Sequence, residues 1–388
     1  MDHPGVRAGH LPVLLRLPPC RGRPEPAEAV RRVDPVLHRR RARALLRREH
    51  GRPDGPAPAV GRAGRRLTAV HVADRLAASI DATGSVACVG LDPRPALVPP
   101  PVRDAALARH GDTVAAVAEA FLATNRGILD AVAGRCAVVK PQVACYEAYG
   151  SAGWDVLAAT VAHARALGIP VIVDGKRNDI GSTAEHYRDA VFGGAPGFSG
   201  AAVADGLGGD WVTVNAYLGS DGVEPFLDDA GAHGVFALVR TSNPSSADLQ
   251  DVVAGERSVA EHVADRVAAW GETRRGTSGL TAVGAVVGAT WPEQARALRA
   301  RMPDTVFLVP GFGAQGGTAV DAVAGRRPGS GAASAAGLVV NSSRELWGAW
   351  QRADAPDRWQ AAAATALDAM NRALGEALDA GAGADGPA

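Results

Sequence analysis

Eight short apolar runs alternate with alanine-rich segments of helical character between residues 67 and 380, and this alternation constrains the fold more than any other feature. Near-continuous Val, Ile and Leu runs are typical of parallel strands buried on both faces, and the segments between them suit crossover helices. Eight strand–helix repeats predict an α/β fold of the (β/α)₈ TIM-barrel class, while an open doubly wound sheet remains an alternative with the same periodicity. The runs are Val86–Leu91, Ala137–Val139, Val171–Val173, Trp211–Val214, Val235–Val239, Val283–Val287, Val306–Val309 and Leu338–Val340.

Several helices and connections outside these runs are also predicted. An amphipathic helix is expected over Val70–Ile80, before the first strand. Two connections, residues 193–210 and 243–281, are longer than the fold requires, and the second contains a predicted helix at Val259–Trp270. A last helix is predicted from Arg358 to Leu378, followed by a disordered tail at residues 381–388. The barrel domain is therefore predicted to occupy residues 67–380.

Residues 1–66 differ from the rest of the chain in charge and composition. They hold 16 arginines and six acidic residues, a net charge of +10, so the other 322 residues carry −10 and the total is zero. Proline and glycine interrupt any helical or alternating period, which predicts a disordered Arg/Pro-rich extension. The alternatives are a nucleic-acid-binding arm or a targeting segment. The arginine clusters lack the interleaved aromatic residues and the fold that nucleic-acid binding would favour.

The sequence predicts a cytoplasmic protein without contact with membrane or nucleic acid. It has no long uncharged apolar stretch, and the N-terminal run Leu11–Leu15 is too short for the core of a secretory signal. Its four cysteines are scattered without Cys-x-x-Cys spacing, which suits buried thiols in a reducing compartment. A neutral total charge argues against coating by nucleic acid.

Polar residues follow most of the apolar runs, at the point where each predicted strand ends. The carboxyl ends of barrel strands meet at one rim, where the active site of this fold class forms. We therefore expect these residues to lie close together in a catalytic site. The segments concerned are Gly90–Pro93, Lys140–Gln142, Asp174–Asp179, Asn215–Tyr217, Thr241–Pro244, Pro310–Gly317 and Asn341–Arg344.

The only two lysines of the chain, Lys140 and Lys176, both lie at this rim among 41 basic residues. Lysine can lose and regain a proton, whereas arginine remains protonated in proteins, so their placement indicates proton transfer. Asp174 and Lys176 are two residues apart and are expected on the same side of their strand. With Asp179 they form an alternation of carboxylates and an ammonium that would hold one another charged. An ordinary salt bridge at a strand end is the alternative interpretation.

A glycine-rich segment, Gly311–Gly317, precedes a predicted helix. Free backbone N–H groups in such a loop suit a phosphate group, and barrels of this class often bind phosphate after strands seven and eight. Gln315 and Arg344 are expected to complete the phosphate site, because a guanidinium binds phosphate through two hydrogen bonds. A glycine-rich turn without a ligand is the alternative.

Several motifs in order along the chain resemble those of the orotidine 5′-phosphate decarboxylase family. The resemblance covers about residues 68–378 and leaves residues 1–66 without a counterpart. The sequence departs from the commoner family pattern at Asn178, where glycine is usual, and at Gly175, where alanine is usual. The motifs are Lys140–Ala144, Tyr146–Glu147, Tyr149–Gly150, Asp174–Thr183, Thr241–Pro244 and Val309–Gly317.

The resemblance implies a cofactor-free and metal-free decarboxylation of orotidine 5′-monophosphate to UMP in pyrimidine biosynthesis. Lys176 would protonate C6 of the pyrimidine, and Lys140, Asp174 and Asp179 would complete the charged network. Further implied contacts with the nucleotide are ribose binding by Asp92 and Thr183, pyrimidine binding by Ser242, and phosphate binding by Gln315 and Arg344. In the family, the residues corresponding to Asp179 and Thr183 come from the partner subunit, so the resemblance also implies a homodimer with shared active sites.

Two other functions remain open from the sequence. A magnesium-dependent sugar-phosphate decarboxylase or aldolase of the same barrel class also uses an Asp-x-Lys-x-x-Asp strand end, though without the Lys-Pro-Gln run. EDTA sensitivity would distinguish that enzyme. A nucleic-acid-binding protein that uses the basic residues 1–66 would instead show salt-dependent binding that is lost when they are deleted.

Overall fold

The computed structural model describes residues 70–313, 316–328 and 333–384. The predicted extension at residues 1–66 and the last four residues of the predicted tail lie outside the described residues. No helix in the described part is long and apolar enough to cross a membrane.

Eight parallel strands form the central sheet, and each matches one of the eight apolar runs. Strands β1, β2, β6 and β7 are buried along their whole length, because the strands are covered on both faces. Such burial explains why the strands have continuous apolar sequences and not the alternation of a half-exposed sheet. The bounds are β1 Ala87–Leu91, β2 Val138–Pro141, β3 Ile172–Arg177, β4 Trp211–Val214, β5 Gly234–Arg240, β6 Val283–Val287, β7 Phe307–Val309 and β8 Leu338–Ser342.

The sheet closes on itself, which confirms the barrel and excludes the open sheet. Its strand order is β2-β1-β8-β7-β6-β5-β4-β3, with all neighbours parallel. Strands β2 and β3 at the two ends of this order are joined by isolated parallel bridges, Val139 with Val171 and Gln142 with Asp174. The N–H of Val143 also donates to the carbonyl of Asp174, at 3.2 Å.

Helices follow or precede the strands around the barrel. Their ends carry the expected stop and start residues: Gly84 ends α1 in the left-handed conformation, and Ser258 and Glu261 form a capping box at α8. The bounds are α1 Val72–Thr83, α2 Pro100–His110, α3 Val114–Val132, α4 Ala144–Glu147, α5 Gly150–Ala166, α6 Gly181–Phe192, α7 Ala247–Gln250, α8 Val259–Gly271, α9 Pro292–Arg301, α10 Ala319–Ala322, α11 Arg344–Trp347, α12 Ala349–Arg352 and α13 Trp359–Ala384.

The two long connections each contain a short hairpin that the sequence patterns did not predict. The first pairs Ala195–Pro196 with Ala202–Ala204, and the second pairs Val253–Ala254 with Arg257–Ser258. The helix α8 lies where a helix was predicted in the second connection. Helix α13 continues past the predicted end at Leu378 to Ala384, so residues 381–384 are helical and not part of a separate tail. No proline interrupts this stretch, and Arg326 donates a hydrogen bond to the carbonyl of Gly381.

A buried arginine closes the amino-terminal end of the barrel, opposite the predicted site. Arg299 on α9 is 4% exposed, and its guanidinium donates to carbonyl groups in the segments that lead into β7 and β8. These bonds include Thr305 at 2.7 Å, Gly337 at 2.9 Å and Gly325 at 2.7 Å. The guanidinium also stacks on the ring of Phe307, 3.7 Å from its centroid. One side chain therefore satisfies several buried backbone acceptors.

We expect Arg299→Met to lower the free energy of unfolding by about 3 kcal/mol, because the substitution removes several buried hydrogen bonds from the guanidinium to backbone carbonyls. Urea denaturation followed by tryptophan fluorescence measures this change. Catalytic activity per folded molecule should stay within about twofold of the parent, since the active site of this fold class lies at the other end of the barrel. A loss of stability below about 1 kcal/mol would contradict the assigned role.

Candidate active site

A cavity of about 900 Å³ opens at the carboxyl ends of the strands. Side chains from the ends of all eight strands or the loops after them line it, as a barrel active site requires. Six of the residues predicted from the sequence lie in its lining: Asp92, Lys140, Asp174, Lys176, Ser242 and Arg344.

Asp174 at the end of β3 is the centre of the charged cluster in this cavity. Its Oδ2 accepts from Lys140 Nζ at 2.6 Å, and its Oδ1 accepts from Lys176 Nζ at 2.7 Å. Thr213 Oγ1 and Gln142 Nε2 donate to the same carboxylate, at 2.8 and 2.9 Å. Four donors therefore hold one carboxylate in place, and two of them are cations.

The pKa values follow from this arrangement. Burial alone would raise the pKa of Asp174, but the ammonium groups of Lys140 and Lys176 hold that pKa well below its ordinary value. Burial alone would likewise lower the pKa of Lys140, but the carboxylates of Asp174 and Asp92 hold it above its ordinary value. Lys140 and Asp174 are each 5% exposed, so their opposite charges are maintained inside the protein by each other.

Lys176 differs from Lys140 in exposure and in backbone conformation. Its side chain is 47% exposed to the cavity, and its φ of +45° lies in the left-handed region, which costs about 1 kcal/mol or more for a residue with a Cβ. The register between β3 and β4 shifts between Val173 and Arg177, and the N–H of Lys176 donates to Thr213 Oγ1 at 2.9 Å. Despite this irregular strand end, the side chain of Lys176 lies on the same side of β3 as that of Asp174, and its ammonium group contacts the Asp174 carboxylate.

Asp92 follows β1 and carries an unsatisfied buried atom. Its Oδ1 has no hydrogen-bond partner among the described residues. A buried carboxylate oxygen that lines a cavity and lacks a donor can accept a hydrogen bond from a ligand hydroxyl. Nearby, Gly90 has no room for a side chain, because a Cβ there would lie 1.9 Å from Ser343 Oγ after β8. The glycine allows the ends of β1 and β8 to approach closely at this part of the rim.

The structure describes part of the predicted phosphate site. Gly311 and Arg344 line the cavity, and Gly311 and Gly313 have positive φ, at 102° and 69°. Arg344 is exposed and has no acidic partner within ion-pair distance among the described residues. Gln315 lies outside the described residues. The guanidinium of Arg344, two residues after β8, is therefore available to bind an anion.

Two predicted residues do not reach the cavity of a single chain. Asp179 precedes α6 and is half-buried, whereas Thr183 lies in the first turn of α6 and is exposed. The carboxylate of Asp179 accepts from the N–H of Ile180 at 2.9 Å, and neither side chain lines the cavity. The cluster assembled within one chain is thus Lys140, Asp174 and Lys176.

Two side chains that bond to Asp174 are not among the site residues predicted from the sequence. Thr213 is 1% exposed and bonds both Asp174 and the backbone of Lys176. The sequence does contain an indication of its importance, because Thr213 is the only residue with a hydroxyl group in the apolar run Trp-Val-Thr-Val of β4. Gln142 belongs to the Lys-Pro-Gln motif, but its position in the sequence does not predict its hydrogen bond to Asp174.

Comparison with known proteins identifies similar chains. The sequence model of the orotidine 5′-phosphate decarboxylase / HUMPS family matches residues 86–356. The orotidine 5′-phosphate decarboxylase of Rhodopirellula baltica is 45% identical over 309 residues, which covers 78% of this chain and 98% of that protein. The enzyme of the same name from Halobacterium salinarum is 40% identical over 303 residues, covering 78% and 97%.

Solved structures show the same similarity. A putative orotidine 5′-phosphate decarboxylase from Streptomyces avermitilis is 31% identical with a TM-score of 0.61, covering 80% of this chain and 96% of that one. The OMP decarboxylase of Leishmania donovani is 30% identical with a TM-score of 0.57, covering 78% and 100%.

Proposed function

This chain belongs to the orotidine 5′-phosphate decarboxylase family, and from that premise we propose that the cavity containing Lys140, Asp174 and Lys176 is its active site. The protein is a carboxy-lyase that converts orotidine 5′-monophosphate to UMP in pyrimidine biosynthesis. The single observation that carries the site assignment is the carboxylate of Asp174 held between two ammonium groups, at 2.6 and 2.7 Å, inside the cavity.

The reaction needs stabilisation of negative charge at one carbon. When the bond between C6 and the carboxylate carbon breaks, the electron pair stays on C6 and CO₂ leaves. The ammonium group of Lys176, already fixed by Asp174, lies where it can stabilise that charge without reorganisation. Lys176 then transfers a proton to C6, which gives UMP and a neutral amine, and the amine regains a proton from water. This role requires lysine, because arginine does not release its proton.

Lys140 and Asp174 keep this donor charged and oriented. Lys140 is buried and contacts the second oxygen of Asp174, so the carboxylate remains ionised in the absence of substrate. An ionised carboxylate near the substrate carboxylate would also raise the energy of the bound ground state, a contribution whose size is disputed. Thr213 and Gln142 fix the rotation of the Asp174 carboxylate.

Groups farther from C6 bind the rest of the nucleotide. Asp92, with its free buried oxygen, accepts a hydrogen bond from the ribose, and Ser242 contacts the pyrimidine. Arg344 binds the phosphate, as does Gln315, which lies outside the described residues. Binding energy from phosphate and ribose, which do not react, orients the base against Lys176.

A second copy of the chain completes the site in this proposal. Thr183 is exposed, Asp179 is half-buried, and Ile180 beside Asp179 is a large apolar side chain that is 49% exposed. The exposed Ile180 and Thr183, and the absence of Asp179 and Thr183 from the lining of their own chain's cavity, support a homodimer in which each active site receives these two residues from the partner. The free thiols of Cys88, Cys136 and Cys145 support a location in the reducing cytoplasm.

A complementation experiment tests the shared site. Lys176→Ala and Asp179→Ala should each be inactive alone, whereas an equimolar mixture that is allowed to exchange subunits should regain about a quarter of the parent activity. The gain arises because one of the two sites in each mixed dimer keeps both native residues. A mixture with no activity, despite dimers seen by light scattering, would show that Asp179 acts within its own chain.

The function itself is tested by an absorbance assay with orotidine 5′-monophosphate. We expect purified protein to convert it to UMP at the same rate with and without EDTA, because no step of the proposed mechanism uses a metal ion. Loss of this activity in EDTA that magnesium restores would contradict the metal-free mechanism. Absence of UMP under both conditions would overturn the assignment. The nucleic-acid-binding alternative rests on residues 1–66 and stays a prediction.

A further inference from the structure

Arg240, the last residue of β5, is 0% exposed although it carries a full charge. Its guanidinium lies beside the active-site cavity but does not line it. Four side chains accept its hydrogen bonds: Gln294 at 2.5 Å, Ser246 at 2.8 Å, Asp251 at 3.0 Å and Gln250 at 3.3 Å. Its flat face also stacks on Trp291, 4.2 Å from the ring centroid. Burial of such a group is costly, and the catalytic cluster does not account for it.

Two of these neighbours, Gln250 and Trp291, form hydrogen bonds with the N–H, the hydroxyl and the carbonyl of the next residue, Thr241. The N–H of Thr241 donates to Gln250 Oε1 at 2.9 Å, and its Oγ1 accepts from Gln250 Nε2 at 2.8 Å. The carbonyl of Thr241 accepts from Trp291 Nε1 at 3.0 Å. Arg240 therefore orients the two side chains that fix the backbone of Thr241.

Ser242 follows directly and lines the cavity. It packs against Gly288 after β6, where an added Cβ would lie 2.9 Å from the Cα of Ser242. The N–H of Gly288 donates to the carbonyl of Arg240 at 2.8 Å. The carbonyl of Arg240 thus holds Gly288 against Ser242, and the side chain of Arg240 orients the groups that fix Thr241. The position of Ser242 therefore depends on Arg240 through two separate contacts.

We propose that Arg240 is a positioning residue for pyrimidine recognition, which holds Ser242 at the distance the base requires. The proposal rests on the proposed function, in which Ser242 contacts the pyrimidine. A planar guanidinium suits this role because it presents several donors in a rigid fork while its face stacks on an aromatic ring. Among the described residues, no hydrogen bond or ion pair connects Arg240 to Asp92 or Arg344, so we expect its effect on the base and not on the ribose phosphate.

Two ligands separate a positioning role from a general structural one. UMP contains the uracil base, whereas ribose 5-phosphate contains only the sugar and the phosphate group. Calorimetric titration of both into Arg240→Met should show UMP affinity falling about tenfold or more, the equivalent of one lost oriented hydrogen bond, with ribose 5-phosphate affinity within about twofold of the parent. Arg299→Met, which also removes a buried arginine but at the opposite end of the barrel, should change neither affinity.

A milder variant covers the case in which Arg240→Met does not fold. Trp291→Phe keeps an aromatic ring beside Arg240 but removes the hydrogen bond to the carbonyl of Thr241. We expect UMP affinity to fall about threefold with ribose 5-phosphate unchanged. Equal losses for both ligands, or unchanged UMP affinity in folded variants, would overturn the proposal. A parent protein that does not bind UMP would instead refute the proposed function.

Discussion

Replacing Lys176 by alanine is expected to lower kcat for orotidine 5′-monophosphate by at least about 10⁴-fold, because one side chain supplies both charge stabilisation and the proton. The fold should tolerate the change. Lys176 is about half exposed, and Asp174 keeps its bonds to Lys140, Thr213 and Gln142. Single-turnover measurement of UMP formation, together with urea denaturation, tests both parts of this expectation.

Lys176→Arg is the matched control, since it keeps the positive charge but cannot release a proton at neutral pH. We expect it to remain nearly as inactive as the alanine variant while it binds UMP with an affinity within about tenfold of the parent. Substantial turnover by the arginine variant would show that charge alone is sufficient and that another group protonates C6.

Asp174→Asn is expected to lower both activity and stability. An amide in place of the carboxylate leaves the buried ammonium of Lys140 without its principal partner, and breaking such a pair costs about 3–5 kcal/mol. Lys176 loses its fixed orientation in the same change, so kcat should fall about 10³-fold. Urea denaturation at neutral pH and the decarboxylation assay measure the two effects.

The stability effect should also depend on pH in a defined direction. Because the folded-state pKa of Asp174 lies below its ordinary value, the carboxylate contributes stability above the ordinary carboxyl range, and the contribution is lost as pH falls below about 4. The gap between parent and variant should therefore narrow on acidification. Asp368→Asn is the control, since Asp368 pairs with Arg135 on the surface and its loss should cost less than about 1 kcal/mol. A gap that widens at low pH would contradict the ionised carboxylate.

The strands were predictable from the sequence because their buried stretches are dominated by continuous apolar residues. Their ends were less predictable. The apolar run of β3 ends at Val173, yet the strand continues to Arg177, because the barrel rim still pairs backbone groups where the side chains have become polar. The two hairpins in the long connections have no apolar alternation to reveal them.

The two lysines of the candidate site were predictable for a different reason, which is the rarity of lysine in this chain. Lys140 and Lys176 stand out by their type, whereas Arg240 is one of 39 arginines and nothing in its neighbourhood along the chain distinguishes it. Its partners come from separate segments, so the network exists only in the folded protein. Asp179 and Thr183 could be named from the family motif, but a single chain does not bring them to the cavity.

The closure of the barrel between β2 and β3 has a mechanical consequence for the chemistry. Isolated bridges and a few backbone hydrogen bonds join these two strands, and the ion pair of Lys140 with Asp174 connects the same two strands through their side chains. The pair therefore adds a side-chain link at a junction where the described strands form no continuous ladder. The same two side chains that would keep Lys176 charged in the proposed mechanism therefore also link the two strands at which the barrel closes, so a substitution at either is expected to affect the barrel as well as the chemistry.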